Sequence, residues 1–117
     1  MYVPEMSWRN SKMPINSRAK GQRYERAIAH ILTDNGYPAH RSQQFCGANG
    51  DADITCPDFP FSVECKHVEK LNLYKAFTQA IKDSKGKPPC VIHTKNNHEN
   101  LITMRFEDFL QLLDEQQ

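Results

Sequence analysis

The stretch that most constrains this chain is residues 50–67, GDADITCPDFPFSVECKH. Two short runs with strand-like alternation flank a turn marked by Pro57-Asp58 and Pro60. Side chains on a strand alternate between faces, so Phe61, Val63 and Cys65 point one way and Ser62, Glu64 and Lys66 the other. On the preceding run Ile54 and Cys56 share a face opposite Asp51, Asp53 and Thr55. If the two runs are hairpin neighbours with their apolar faces aligned, two or three carboxylates and the Lys66 ammonium converge on one surface.

Carboxylates brought together repel, and removing them from water makes the repulsion worse unless a cation lies between them. A hard divalent ion such as Mg²⁺ suits the place, because it takes oxygen ligands and keeps several waters. Lys66 adds positive charge beside it and could hold an attacking water or stabilise charge developing on a phosphate. The plainer alternative is a surface hairpin in which Lys66 merely neutralises Glu64. Periodicity alone weights the two equally.

The rest of the chain supplies the frame. Residues 1–20 hold Pro4, Pro14 and polar residues without periodicity, and read as a flexible basic arm ahead of a single domain over residues 21–117. From Gly21 to about Asn35, Tyr24, Ala27, Ile28, Ile31 and Leu32 recur at helical spacing, and Asn35-Gly36 stops the helix. Glu25 borders its apolar stripe. Residues 38–45 read as a strand and 46–50 as a loop, ahead of the strands over 51–56 and 61–66. Leu73, Tyr74, Phe77, Ala80 and Ile81 make a second helix, ending near Lys85-Gly86-Lys87. Residues 90–93 and 101–104 are further strands. Phe106, Phe109, Leu110 and Leu113 mark a closing helix whose acids lie on its exposed side. Helix, strands, helix, strand, strand, helix is the order of an α/β domain with a mixed central sheet flanked by helices.

The chain has 117 residues, enough for one core without staples. No apolar run reaches the ~18 residues a membrane span needs, and the N-terminus lacks the apolar core of a secretory signal, so an intracellular protein is expected. Cys46, Cys56, Cys65 and Cys90 form no C-x-x-C pair and read as buried thiols rather than disulfides or a zinc site. The net charge is only +1, but it is unevenly spread. Residues 1–26 carry six cations against two acids, whereas residues 99–117 carry five acids against one cation. A basic end of this kind suits a polyanion. Lys70, Lys82, Lys85, Lys87 and Lys95 add dispersed charge that could follow a nucleic-acid backbone.

Asp53, Glu64 and Lys66, spaced D-x(10)-E-C-K with apolar neighbours around Glu64, resemble the catalytic signature of the PD-(D/E)XK nuclease superfamily. The Glu25 helix, Gly21-Gln-Arg-Tyr-Glu25, resembles the first motif of its Holliday-junction-resolvase branch. R-S-Q-Q before G-A-N-G-D-A-D-I, E-C-K, the helix LNLYKAFTQAIKD and the strand PPCVIH are similar, in that order, to small phage and prophage proteins of that type. The likeness runs from about Gly21 to Phe109. Ala52 stands where the signature has proline, which removes no ligand.

The resemblance implies a restriction-endonuclease-like core and a set of roles. Asp53, Glu64 and the backbone carbonyl of Cys65 would bind the metal, and Glu25 would complete the site directly or through water. Asp53 is favoured over Asp51 because it immediately precedes the strand residue Ile54, as the family's aspartate does; Asp51 stays a possible ligand. Lys66 would orient the water, and Gln79 would support the site. Arg18, Lys20, Arg23, Arg41, Ser42, Gln43, Lys70 and Lys82 are the candidate DNA contacts. The cofactor expected is Mg²⁺, with Mn²⁺ able to substitute.

The leading expectation is a Mg²⁺-dependent DNA endonuclease, a resolvase of branched DNA, encoded by phage or prophage and working in the host cytoplasm. Cutting two strands symmetrically calls for two active sites, hence a homodimer. The rivals are a nicking or restriction-type endonuclease on duplex DNA, and a non-catalytic DNA-binding protein of the same fold.

Overall fold

A computed structural model describes residues 15–42 and 52–115. Helix α1 spans Ile15–Asp34, so it starts six residues earlier than the sequence reading placed it. Residues 15–20 therefore continue the helix rather than belonging to an arm. Pro14 immediately precedes it, and a missing N–H costs nothing at a helix start. The remainder of the expected arm, residues 1–14, lies outside the described residues.

The C-terminus of α1 is closed by backbone geometry. Gly36 takes a left-handed φ of 95°, its N–H donates to the Thr33 carbonyl at 3.0 Å, and the Tyr37 N–H donates to the Leu32 carbonyl at 2.9 Å. This paired capping turn satisfies two carbonyls that would otherwise lack donors. It also reverses the chain into β1, His40–Arg41.

Among the described residues five strands form one sheet in the order β1-β2-β3-β4-β5. The others are β2, Ile54–Thr55; β3, Ser62–His67; β4, Pro89–Thr94; and β5, Leu101–Met104. β1 and β2 are shorter than the runs expected there, and residues 43–51 lie outside the described ones. β2 and β3 are antiparallel with Ile54 opposite Val63, the hairpin alignment that the apolar pattern required. β3 and β4 run parallel, joined through helix α2, Leu73–Asp83, while β4 and β5 are antiparallel. Helix α3, Phe106–Glu115, follows.

The two helices before the last cover opposite faces of the sheet. Tyr24, Ile28, Ala29 and Leu32 of α1 pack with Ile54, Phe61, Val63, Cys65 and Cys90. Ala76 and Ala80 of α2 pack on Val91, with Leu73 and Phe77 beside them. β3 and β4 are thus enclosed on both sides, as the parallel centre of a mixed sheet should be. Cys56, Cys65 and Cys90 are buried free thiols; burial pushes Cys90 up to about 12. Cys46 lies outside the described residues.

Three expectations from the sequence need correction. Tyr74 and Ile81 are exposed, because the inward stripe of α2 is Ala76, Ala80 and Asp83. The apolar residues of α3 do not face the core: no residue of that helix is buried, although Leu112 packs partly against the larger cluster. Lys87 is not a freely solvated cation. Its ammonium donates to the carbonyls of Cys56, Pro57 and Phe59 at 2.9, 3.1 and 2.8 Å, clamping the β2–β3 turn to the approach to β4.

Lys87→Met keeps the aliphatic stem but takes the ammonium from the Pro57 and Phe59 carbonyls and leaves the Cys56 carbonyl with the Phe59 N–H at 3.2 Å. A hydrogen-bonding charged group of this kind is worth about 2 kcal/mol. Urea unfolding of the variant should show a loss of about that size, with the m-value unchanged.

Candidate active site

The site grows from the place where β2 meets β3. The Asp53 N–H donates to the Val63 carbonyl at 3.0 Å, and the Asp53 carbonyl accepts from the Ser42 N–H at 2.8 Å. The backbone of Asp53 is therefore held on both sides, one residue before β2. Its side chain turns along the edge of β3, where Oδ2 accepts from the Cys65 N–H at 2.9 Å. The N–H and C=O of one strand residue point to the same side. The Cys65 carbonyl is thus directed toward the Asp53 side of β3, as is that of Val63.

Glu64 stands next to this contact but on the α2 face, opposite Val91 in the ladder. It is only 5% exposed, so the acidic face expected on this hairpin is an interior one. Its Oε2 lies 3.7 Å from Lys66 Nζ, and its Oε1 is buried with no hydrogen-bond partner among the described residues. Lys66 is partly open to solvent and leaves that second oxygen uncompensated.

Burial is the main cause that pushes Asp53 up from 3.8 to about 6. The Cys65 N–H and Lys66 work against the shift, and Glu25 and Asp83 reinforce it. Burial likewise raises Glu64 from 4.5 to about 8, followed by the charge of Asp53; Lys66 opposes, and Asp83 and Glu25 add to it. Glu25, Asp53, Glu64 and Asp83 thus share one electrostatic neighbourhood, in which Lys66 works against the shifts of Asp53 and Glu64.

Asp83 is the member that the sequence reading missed. It is 9% exposed, continues the α2 stripe of Ala76 and Ala80, and its Oδ2 accepts from Gln79 Nε2 at 2.8 Å. An acid at i+7 on a stripe of small apolar residues was the available signal. Gln79, by contrast, is exposed and reaches the site through Asp83.

Glu25 projects from α1 on the other side and accepts from Arg41 Nε at 2.6 Å. Arg41 is thus tied to the acidic group rather than standing apart from it. Ser42 is buried, with its hydroxyl 2.8 Å from that of Thr55. Arg18 and Arg23 are exposed on α1, Lys20 lies 4.0 Å from Glu69, and Lys70 and Lys82 are exposed. Gln43 and Asp51 lie outside the described residues. Tyr24 packs edge-on against His67, and Tyr37, just after α1, against Phe59, so α1 runs antiparallel to β3. That orientation carries the basic first turns of α1 to the Lys66 end of the strand.

The donor set fits a hard divalent cation. It offers a buried carboxylate oxygen without a partner, a second carboxylate at the adjacent strand end, and a carbonyl directed the same way. Among the described residues no three His, Cys, Asp or Glu side chains close around one point. Mg²⁺ needs no such cage, since one or two carboxylates and several waters suffice.

The family model for phage putative PDDEXK endonucleases matches residues 16–117. The chain belongs to this nuclease family. Its fold is similar to that of Hjc, a Holliday junction resolvase of the archaeal hyperthermophile Archaeoglobus fulgidus, with a TM-score of 0.57 and 20% identity over 73% of this chain and 72% of that one. At that identity the likeness is one of fold, the restriction-endonuclease-like α/β core. No curated protein matches the sequence. PD-(D/E)XK nucleases generally use divalent metals and DNA is the partner that the family implies. Among the described residues no helix is long and apolar enough to cross a membrane.

The raised carboxyls give a pH signature. Both hold a proton more tightly folded than unfolded, so in the metal-free protein their stabilising contribution is complete below about pH 4 and is lost as pH rises through 6 and then 8. In chelator, the melting temperature should fall across that window, and Glu64→Gln should flatten the upper part. Added Mg²⁺ should raise it more at the alkaline end, where it no longer competes with protons.

Proposed function

We propose that the chain is a Mg²⁺-dependent DNA endonuclease acting on branched DNA, with a four-way junction as its substrate. The observation that carries the catalytic part is Glu64: a buried carboxylate with one oxygen unpartnered, set between Asp53 and Lys66. A salt-bridged surface hairpin would leave both residues in water, and Glu64 is not in water.

In this reading Asp53 and Glu64 hold the cation, with the Cys65 carbonyl beside them. The Asp53 carboxylate is oriented by the Cys65 N–H, so it meets the cation without first reorganising. Bound there, Mg²⁺ would supply Lewis acidity to the scissile phosphate and lower the pKa of coordinated water. Lys66 is near enough to Glu64 to orient the attacking water in line with the leaving oxygen and to stabilise charge on the phosphate. Glu25 holds Arg41 at the rim, where the guanidinium can meet a phosphate oxygen. Gln79 fixes Asp83 behind Glu64. Asp51 remains a possible additional ligand. Mn²⁺, with similar oxygen preference, would substitute.

DNA would approach the Lys66 end of the sheet, where the first turns of α1 carry Arg18, Lys20 and Arg23 and where Lys70 follows β3. Contacts of this type go to phosphates and select little sequence. Discrimination among DNA shapes then falls to the spacing of two sites in a dimer. The fold likeness to a junction resolvase favours branched DNA over the duplex reading.

The test is cleavage of a labelled four-way junction against a linear duplex of the same sequence, with Mg²⁺ titrated in. Paired incisions near the branch are expected, with the duplex cut at least about tenfold more slowly. Equal cutting of both points to the nicking or restriction-type reading. Glu64→Ala should lower the rate by at least about 10²-fold, as removal of an electrostatic group at the reacting centre does. Lys66→Ala should lose a comparable factor of about 10² to 10³ while binding DNA within about threefold of wild type. Wild-type cleavage by Glu64→Ala would remove the site assignment altogether.

A further inference from the structure

Helix α3 presents an apolar seam that none of the other described residues covers. Phe106 is 68% exposed, and Phe109, Leu110 and Leu113 are 43%, 46% and 46% exposed. They fall at i, i+3, i+4 and i+7, which is one continuous stripe along the whole helix. A helix this short is marginal by itself in water, so its order must come from packing. Among the described residues its own core contact is a partly buried Leu112.

The stripe is complementary to itself. Two copies of α3 laid antiparallel about a twofold axis bring Phe106 against Leu113 of the other copy and Phe109 against its Leu110. The same register sets Arg105, one residue before the helix, opposite Asp114. It sets Glu107 opposite Leu112 and Asp108 opposite Gln111, so no two acids meet. A parallel arrangement would superpose Arg105 on Arg105 and Asp114 on Asp114. Antiparallel pairing also opposes the helix dipoles favourably.

We propose that the α3 seam is the docking face for a second copy of this chain, paired antiparallel about a twofold axis. Arg105 is available for the role. It is substantially exposed, lies over the Phe77 ring at 5.8 Å and reaches Asp108 only at 3.9 Å. An isologous contact of this kind closes on itself and forms a dimer rather than a filament. The role assigned to that dimer, two incisions in one substrate, rests on the endonuclease reading; the contact itself does not.

Sedimentation velocity and light scattering on the full chain decide it. Wild type should be a dimer, and Phe109→Glu/Leu110→Glu should be a monomer with an unchanged circular dichroism spectrum. Because two apolar-to-acid changes on one helix could unfold it, charge exchange provides the second arm. Arg105→Glu and Asp114→Lys should each weaken the dimer about tenfold, and the two together should restore it to within about threefold of wild type. A monomeric wild type overturns the proposal, whether residues 1–14 cover the seam or leave it bare. So does a folded dimer that persists in Phe109→Glu/Leu110→Glu, or a double charge exchange that gives no rescue. Cleavage separates this from the endonuclease reading: a dimer without nuclease activity sinks that reading and leaves the interface standing. With both correct, the monomeric variant still nicks a junction but loses the paired incisions.

Discussion

A carboxylate buried at the centre of this molecule keeps one oxygen with no hydrogen-bond partner among the described residues, and the rest of the structure is arranged around it. Glu64 sits on the strand that the sheet encloses on both faces, with α2 above it and the α1 cluster below. Desolvation alone would force it to take up a proton. Lys66 offsets part of the cost through one oxygen, at a distance too long for a hydrogen bond. The remaining oxygen is what sets the place apart from a simple salt bridge.

Everything adjacent serves that arrangement. The β2–β3 register is fixed by Ile54 opposite Val63 and by the Asp53 backbone, so that the Asp53 carboxylate reaches the Cys65 N–H. Lys87 closes the turn that joins those strands. The parallel crossover from β3 to β4 delivers α2, and with it Asp83, over Glu64. The antiparallel run of α1 across the opposite face brings Glu25 to the β1 side and the basic first turns to the Lys66 end. The acid thus lies in the interior and the base at the rim, and a net charge of +1 conceals both.

The fold class and the hairpin could be read from residues 50–67 because alternation is a local property. Ile54, Cys56, Phe61, Val63 and Cys65 declare one face, and any sheet that buries them must put Asp53 and Glu64 close together. Alternation could not say whether the second face was wet. That depended on α2, whose inward stripe of Ala76, Ala80 and Asp83 is poorer in large apolar residues than the outward one carrying Tyr74 and Ile81. Hydrophobic periodicity therefore took in Tyr74 and Ile81, which face out, along with Leu73, Phe77 and Ala80, which pack inward, and it passed over Asp83 because that residue is charged. Small residues let α2 approach the sheet closely, and closeness rather than hydrophobicity decided which side faced in.

Sequence by itself determined the elements, the pairing of β2 with β3, the identity of Asp53, Glu64 and Lys66 as a convergent group, and the polarity of charge along the chain. These follow from spacing and from side-chain chemistry, which act over a few residues. Only the tertiary structure decided that Glu64 is dry, that Asp83 joins it and brings Gln79 along, that Lys87 and Arg41 are engaged rather than free, and that α3 leaves its apolar seam outward. Each of those depends on what a distant segment places against a residue, and burial is a property of the packed whole.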